Sequence, residues 1–167
     1  MLVLQHQDIV NELPRLRRYA RALTHDTALS DDLVQDTVER ALSRFTLWRP
    51  GNLRAWLFTI MHNVYVNQVR AAPPLAKDDA PPELPVRATQ ADSLEMRDLA
   101  RSLARLPTEQ REVLLLIGLE DLSYEEAATI IGVPIGTVMS RLSRGRERLR
   151  ALLAGSELPE AQLKVVK

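Results

Sequence analysis

The chain of 167 residues contains no cysteine, so disulfide bonds and thiolate metal sites are excluded. Histidine is scarce as well: His6, His25 and His62 are far apart in the sequence, which argues against a histidine metal centre. We therefore expect no metal and no cofactor. Because the sequence has neither a secretory signal nor an apolar run long enough to cross a bilayer, we expect a cytoplasmic protein without membrane insertion.

Aromatic residues are rare, at 4% of the chain, and strand-like alternation of polar and apolar residues is infrequent. The hydrophobic content of 46% is sufficient for one or two small cores. Apolar residues recur mainly at the three-to-four-residue spacing of a helix, and not at the two-residue spacing of a strand. The sequence therefore predicts an all-α protein.

Neither sign of charge is in excess, since the formal net charge is zero. Residues 1–70 carry nine basic and seven acidic residues, residues 71–98 three and six, and residues 99–167 ten and nine. The surplus of acid is thus confined to the middle of the chain. A neutral total is therefore compatible with locally basic surfaces on either side.

The middle segment also lacks periodicity and holds five of the ten prolines. We interpret residues 71–91 as an extended, acidic linker. It separates an N-terminal domain, residues 1–70, from a C-terminal domain, residues 92–155. We assign no function to the tail, residues 156–167.

The C-terminal domain contains a complete helix-turn-helix pattern. Ser123 and Glu126 have the spacing of a capping box, which predicts a helix that begins near Tyr124. Gly132 stands where a left-handed residue would end that helix. Because Pro134 is tolerated in a first helical turn, a second helix is expected from about residue 135 to 153.

This second helix carries five arginines and one glutamate within residues 134–153. Helix-turn-helix proteins contact base edges with the N-terminal part of the helix and phosphates with further basic residues. For any single arginine, a solvated helix face is an equally good explanation. The predicted buried stripe is Val138, Leu142, Gly145, Leu149 and Leu152. The predicted base contacts are Thr137, Ser140 and Arg141, and the predicted phosphate contacts are Arg144, Arg146 and Arg148.

The N-terminal domain is also predicted to be helical. One helix is expected to open at Pro14, and a second to follow Ser30 as N-cap. Leu16, Tyr19, Ala20 and Leu23 should form the apolar face of the first helix, and Val34, Val38, Ala41, Leu42 and Phe45 that of the second. The second helix also has an acidic ridge at helical spacing: Asp32, Gln35, Asp36 and Glu39. From the residues alone, a solvated face explains this ridge better than a binding role.

A third helix is expected over residues 53–70, with Leu53, Leu57, Ile60, Met61 and Val64 inward. One outer strip of it carries Trp56, Thr59, Asn63, Asn67 and Arg70. Such a mixture of side chains suits unpaired bases, which offer faces for stacking and open edges for hydrogen bonds. Trp56 fits a core role better than stacking, so Asn63, Asn67 and Arg70 are the stronger candidates.

In this order around a proline-rich linker, four motifs resemble those of extracytoplasmic-function (ECF) sigma factors, the smallest class of bacterial RNA polymerase specificity subunits. Residues 30–37 (SDDLVQDT) resemble region 2.2 and residues 55–63 (AWLFTIMHN) resemble regions 2.3 and 2.4. Residues 106–111 (LPTEQR) and 136–144 (GTVMSRLSR) resemble region 4. The resemblance extends over most of residues 13–153.

The resemblance implies a subunit that binds core polymerase and recognises promoters. It implies that Asp32, Leu33, Gln35 and Asp36 contact the clamp helices of the β′ subunit, and that region 4 lies near the β flap. It further implies that Thr59, Asn63, Asn67 and Arg70 meet the melted −10 element, that residues 46–52 capture an unpaired base, and that region 4 binds the −35 element as duplex. An anti-sigma factor is the expected regulator.

Two residues depart from the family pattern: Asn67 replaces a common aspartate, and Gly145 replaces a common alanine, at a cost of up to ~1 kcal/mol in helix propensity unless close packing compensates.

The alternatives are a helix-turn-helix regulator that acts without polymerase and a sigma mimic that sequesters an anti-sigma factor. The sequence has no catalytic constellation, so we do not expect an enzyme.

Overall fold

The computed structural model describes residues 2–71 and 90–155. Over these residues the chain forms helices and no strand, which confirms the all-α prediction. The helices are α1 (Leu2–Thr24), α2 (Thr27–Ser43), α3 (Leu53–Ala71), α4 (Gln90–Ala104), α5 (Thr108–Leu114), α6 (Tyr124–Ile131) and α7 (Ile135–Leu153). No helix in these ranges is both long enough and apolar enough for a membrane span.

Helix α1 runs through Pro14, so the prediction that a helix opens there is wrong. Pro14 is exposed, and the only hydrogen bond it removes is the one to the carbonyl four residues earlier. Burial of Ile9, two turns before Leu16 on the same face, stabilises the segment ahead of the proline. The predicted apolar face, Leu16, Tyr19, Ala20 and Leu23, is buried.

Helix α2 begins four residues earlier than predicted, because its N-cap is Asp26 and not Ser30. The Asp26 side chain accepts a hydrogen bond from the Leu29 amide at 2.9 Å. Ser30 instead lies inside the helix, where its buried hydroxyl donates to the Thr27 carbonyl. Leu42, predicted to be inward, is 43% exposed. The apolar face of α2 is therefore rotated toward Leu33, which is fully buried.

Helix α3 has the predicted extent to within one residue. Leu57, Ile60, Met61 and Val64 are buried as expected, and Leu53 is half-buried. Phe58, which the sequence pattern did not select, is also buried against Tyr19 of α1, with the rings edge to face at 4.9 Å.

The helix-turn-helix, α6 and α7, agrees with the sequence prediction. Both hydrogen bonds of the capping box between Ser123 and Glu126 are present, and Gly132 is left-handed at φ 76°. Gly145 is buried where α7 crosses α5: a Cβ there would lie 3.0 Å from Leu114 Cδ1 and 3.3 Å from Gln110 Cβ. Close packing therefore accounts for glycine at this position.

The end of α5 continues into a π-helical turn, Leu115–Leu119. The Glu120 amide donates to the carbonyl of Leu115, five residues back, at 3.1 Å. A π turn adds one residue to the helical repeat, so it changes the direction in which the following side chains point. Glu120 is thereby directed toward α1 and is fully buried.

Of the predicted linker, residues 72–89 lie outside the described residues, as do residues 156–167 of the predicted tail. Ala71 ends α3 and Gln90 begins α4, so the helices extend into both ends of the predicted linker.

We call α1–α3 the N-terminal half and α4–α7 the C-terminal half. Helix α1 contacts α4, α5 and the π turn, and α3 contacts α6, so that one hydrophobic core contains buried residues of both halves.

Candidate nucleic-acid interface

Helix α7 packs through Val138, Leu142, Gly145 and Leu152 and leaves its other faces accessible. Of the predicted phosphate contacts, Arg144 and Arg146 are exposed and Arg148 is half-buried. Among the predicted base contacts, Thr137 and Ser140 are half-buried, and the Ser140 hydroxyl donates to the Gly136 carbonyl at 2.7 Å. The helix thus presents a basic surface beside a short polar N-terminal segment.

Arg141 lies differently from the other arginines of α7. Its side chain is only 20% exposed and pairs with the Glu109 carboxylate of α5 at 3.6 Å. Arg144, by contrast, is exposed one turn after Ser140. The geometry therefore favours Arg144 over Arg141 as a side chain that can enter a DNA groove.

A groove between α6 and α7, with a volume of about 250 Å³, was not anticipated from the sequence. Two guanidinium groups, Arg146 and Arg150, and two hydroxyls, Tyr124 and Ser143, line it together with Met139 and Leu142. The i, i+3, i+7 spacing of Ser143, Arg146 and Arg150 is a signal that could have identified this side of the helix. These groups are suited to a phosphate of a DNA strand.

The outer strip of α3 is accessible at the positions that the sequence favoured. Asn63, Asn67 and Arg70 are exposed. Thr59 is half-buried, and its hydroxyl donates to the Ala55 carbonyl at 2.9 Å within the helix. Three side chains of this strip are therefore exposed on the surface that the described residues form.

Trp56 belongs to an aromatic cluster at the base of the segment that precedes α3. Its ring centroid is 6.1 Å from that of Phe45 and 6.4 Å from that of Trp48. This packing supports a structural role, as the sequence indicated. In the same segment, Asn52 accepts a hydrogen bond from the Ala55 amide at 3.1 Å, and Leu47 is 75% exposed.

The acidic ridge of α2 lies mostly on the surface. Asp32, Gln35 and Glu39 are exposed, whereas Asp36 is half-buried and accepts a hydrogen bond from Gln68 of α3 at 3.1 Å. Leu33 points the other way and has no exposed surface, so its selection as a surface contact is corrected: the side chain belongs to the core.

Sequence reasoning did not identify the charged groups between the two halves. Glu120 is fully buried and pairs with Arg18 at 3.1 Å and with Arg15 at 3.6 Å. Glu112 contacts the His62 ring, and Glu126 accepts a hydrogen bond from the Asn52 amide group. Because the partners in each pair are at least 50 residues apart, no local pattern could have revealed them.

Arg111 joins the two halves through the backbone. Its guanidinium donates to the carbonyl of Leu23 in α1 at 2.9 Å, and also to the carbonyls of Leu103, Ala104 and Leu106. Burial lowers the pKa of Arg111. Burial and the nearby Arg111 charge also lower the pKa of His25 to about 4, so this histidine is neutral at neutral pH.

Within residues 2–71 and 90–155, no group of three His, Cys, Asp or Glu side chains is arranged to hold a metal ion. The exposed polar side chains of α3 and α7 are mainly amides, a hydroxyl and guanidiniums, with one carboxylate, Glu147. These groups bind nucleic acid through hydrogen bonds and charge.

Two family models match this chain. The model for the Sigma2 domain of PhyR matches residues 9–62, and the model for sigma-70 region 4 matches residues 96–149. The chain is 39% identical over 150 residues to the ECF RNA polymerase sigma factor EcfG of Rhodopseudomonas palustris (strain TIE-1), and the alignment covers 87% of this chain and 83% of that protein.

Two solved structures of sigma factors are similar to this chain over most of its length. The sigma factor RpoE from Bartonella quintana, in complex with the anti-sigma factor NepR, is 36% identical, with a TM-score of 0.78 over 91% of this chain and 98% of that chain. CnrH in complex with the cytosolic domain of CnrY is 28% identical, with a TM-score of 0.71 over 94% of this chain and 92% of that chain.

Proposed function

Because the chain belongs to the ECF family of RNA polymerase sigma factors, we propose that it binds core polymerase and directs it to specific promoters by recognising −35 and −10 elements. Residues 1–70 would act as region 2 and residues 92–155 as region 4. The observation that carries the proposal is the capped helix-turn-helix, whose second helix bears five arginines, joined in one chain to a region 2 bundle. The proposed role, in the cytoplasm, includes no covalent step.

For the −35 element, we assign duplex recognition to α7. Thr137, Ser140 and Arg144 lie on the outer side of its N-terminal part and contact base edges. Arg141, whose half-buried side chain lies beside α5 and within 3.6 Å of the Glu109 carboxylate, contacts phosphate together with Arg146 and Arg148. The groove beside α6 adds Tyr124 and Arg150 to the phosphate contacts.

For the −10 element, we assign the melted strand to the exposed strip of α3. Asn63 and Asn67 offer amides to the open edges of unpaired bases, and Arg70 offers charge to the backbone. Thr59 lies at the margin of this surface. Residues 46–52 form the segment that would capture an unpaired base and assist melting.

For core polymerase, we assign the acidic ridge on α2, in which Asp32 and Gln35 are exposed and Asp36 is half-buried. Asp32, Gln35 and Asp36 would meet the clamp helices of the β′ subunit, and region 4 would lie near the β flap. Carboxylates on a surface of this kind fit a basic partner and guide its approach.

For regulation, we propose an anti-sigma factor that binds this chain. Two structural neighbours, RpoE and CnrH, are in complex with the anti-sigma factor NepR and with the cytosolic domain of CnrY. Isolation of the protein from its own cells under non-inducing conditions should yield a stoichiometric small partner. Recovery of the protein without such a partner would contradict this assignment.

In vitro transcription with purified core polymerase on a pooled genomic template tests the main proposal. We expect transcript starts that depend on the protein and share two spaced upstream elements. An Arg144→Ala protein, with its helical content verified by circular dichroism, should lose these starts or change their −35 sequence. If the protein neither binds core polymerase nor directs starts, it is a sigma mimic or a polymerase-independent regulator.

A further inference from the structure

The N-terminal turns of α7 carry exposed apolar side chains beside the polar groups that we assign to base edges. Ile135 is 38% exposed and Met139 is 48% exposed. They are four residues apart, so both lie on one side of the helix. We call Ile135 and Met139 the apolar pair. The pair occupies the same helical turns as Thr137 and Ser140, two of the proposed base contacts.

The packing of α7 does not require an apolar residue at Met139. The helix packs on the rest of the chain through Val138, Leu142, Gly145 and Leu152, which are buried. Met139 lies beside that stripe and lines the groove between α6 and α7. Because Met139 is 48% exposed, a long polar side chain would fit at this position without opening a cavity in the core.

Phosphate binding does not account for the apolar pair either. Arg146 and Arg150 line the same groove and supply the charge that a phosphate requires. A thioether donates no hydrogen bond and carries no charge, so Met139 adds nothing to that contact. A single exposed apolar side chain is ordinary on a protein surface. Two of them on the helical turns assigned to DNA indicate a ligand group that is itself apolar.

The apolar group that DNA offers in its major groove is the 5-methyl group of thymine. Helix-turn-helix proteins place the N-terminal part of their second helix against base edges, and Met139 is the fifth residue of α7. The methionine side chain is unbranched and flexible, so it can adapt to the position of a methyl group. Arg146, seven residues later on the same side of the helix, can hold a phosphate nearby.

We propose that Met139, with Ile135 beside it, is a specificity-determining residue that contacts a thymine 5-methyl group in the −35 element. This inference rests on the proposed function, because it assigns a base to the DNA-binding surface of α7. Ser140 and Arg144 contact hydrogen-bonding groups of neighbouring bases, whereas Met139 selects thymine by removing its methyl group from water. The preferred −35 element therefore has thymine at one position, where the methyl group itself contributes to binding.

Replacement of thymine by deoxyuridine tests the contact, because it removes the methyl group and keeps the base pairing. The full chain, assembled with core polymerase, first selects its preferred duplexes from a pool of random sequence. Each thymine of the selected −35 element is then replaced in turn by deoxyuridine. Binding to these duplexes is measured for the parent and for the variants Met139→Ala and Leu153→Ala, each assembled with core polymerase.

Leu153→Ala is the matched control. Leu153 is 50% exposed on the same helix, but it follows Met139 by fourteen residues, or about 21 Å along the helix axis. Both replacements therefore remove an exposed apolar side chain of similar size from α7. Circular dichroism should show the same helical content in the parent and in both variants.

We expect deoxyuridine at one thymine position to weaken binding of the parent about fourfold, which is the effect of removing one methyl group from an apolar contact. Met139→Ala should bind the thymine and deoxyuridine duplexes about equally, whereas Leu153→Ala should discriminate between them as the parent does. Met139→Leu should keep the preference for thymine, because its side chain is apolar. Met139→Gln, of similar length but polar, should lose it.

Two outcomes would overturn the inference: a full preference for thymine in Met139→Ala, or no effect of deoxyuridine at any position in the parent. Both would leave the proposed function intact, since the parent would already have selected a −35 sequence. Failure of the parent to select any sequence with core polymerase would contradict the proposed function, and the inference with it. The two kinds of failure are thus distinguishable.

Discussion

At the scale of single residues, the arginines of α7 differ in what they can reach. Arg144 is exposed one turn beyond Ser140, whereas the Arg141 side chain is only 20% exposed and lies beside α5, near Glu109. A side chain that enters the groove discriminates between bases, and one that lies at the side of the helix meets phosphates. From the sequence alone, Arg141 was assigned to bases and Arg144 to phosphates, because Arg141 is nearer the N-terminus of the helix.

Replacement of these two arginines should therefore have different effects on DNA binding. Arg144→Ala should cost about 1–3 kcal/mol of binding free energy at the preferred promoter and relax the preference at one base position. Arg141→Ala should weaken binding to all sequences about equally and reduce the salt dependence by about one phosphate contact. Binding titrations over a promoter library at several salt concentrations measure both quantities. A base-specific effect of Arg141→Ala alone would reverse the assignment.

His25 makes the stability of the fold depend on pH. Its pKa is about 4 in the folded chain because of burial and the nearby Arg111, against about 6.5 when unfolded. Between these two values the unfolded state binds the proton and the folded state does not, so stability falls as the pH drops from 6.5 to 4.

His25→Asn should remove this part of the pH dependence. Asparagine tolerates the positive φ of 54° at this position and does not titrate. Thermal unfolding followed from pH 7 to pH 4 should show a shallower decline for His25→Asn than for the parent. Parallel curves would mean that His25 takes up its proton in the folded state as readily as when unfolded.

At the scale of elements, the crossing of α5 and α7 depends on the absence of a side chain at Gly145. An alanine there gains up to about 1 kcal/mol in helix propensity but meets Gln110 Cβ, which is fixed close to the backbone. Overpacking of this kind costs about 1–3 kcal/mol. At Gly136, on the same helix, a Cβ would meet no neighbouring atom within 4 Å.

The two glycines thus form a matched pair. Gly145→Ala should lower the free energy of unfolding by about 1 kcal/mol or more, while Gly136→Ala should leave it unchanged or raise it slightly. Chemical denaturation measures both. A stabilised Gly145→Ala protein would show that Leu114 and Gln110 move aside without cost.

At the scale of the whole molecule, the acidic ridge lies on α2, whereas the groups of the N-terminal half that pair with Glu120 and Glu112 lie on α1 and α3. A change in the ridge should thus affect polymerase binding without disturbing the pairing of Glu120 with Arg15 and Arg18. Asp36→Arg should weaken binding to core polymerase at least about tenfold, because it reverses a charge on the proposed contact surface. Asp31→Arg, exposed on the same helix but outside the ridge, is the control. Equal affinity of the two variants for core polymerase would remove the ridge from the interface.

The sequence predicted the local parts of this molecule well and the long-range parts poorly. The capping box, the left-handed Gly132 and the extent of α7 depend on residues within one or two turns, so they could be predicted. The start of α2 was wrong because Asp26 and Ser30 are both good N-caps, and burial of Ser30 decides between them. The pairing of Glu120 with Arg18 joins residues 102 apart, which no periodicity can indicate.

The π turn, Leu115–Leu119, makes the pairing of Glu120 with Arg15 and Arg18 depend on chain length as well as on side-chain chemistry. Each residue of a helix advances the direction of its side chain by about 100°. Deletion of Gly118, whose surroundings are open, would restore the ordinary α-helical repeat and rotate Glu120 by roughly that angle away from α1. Loss of a single residue could therefore separate Glu120 from Arg15 and Arg18 while leaving all three of these residues in the sequence.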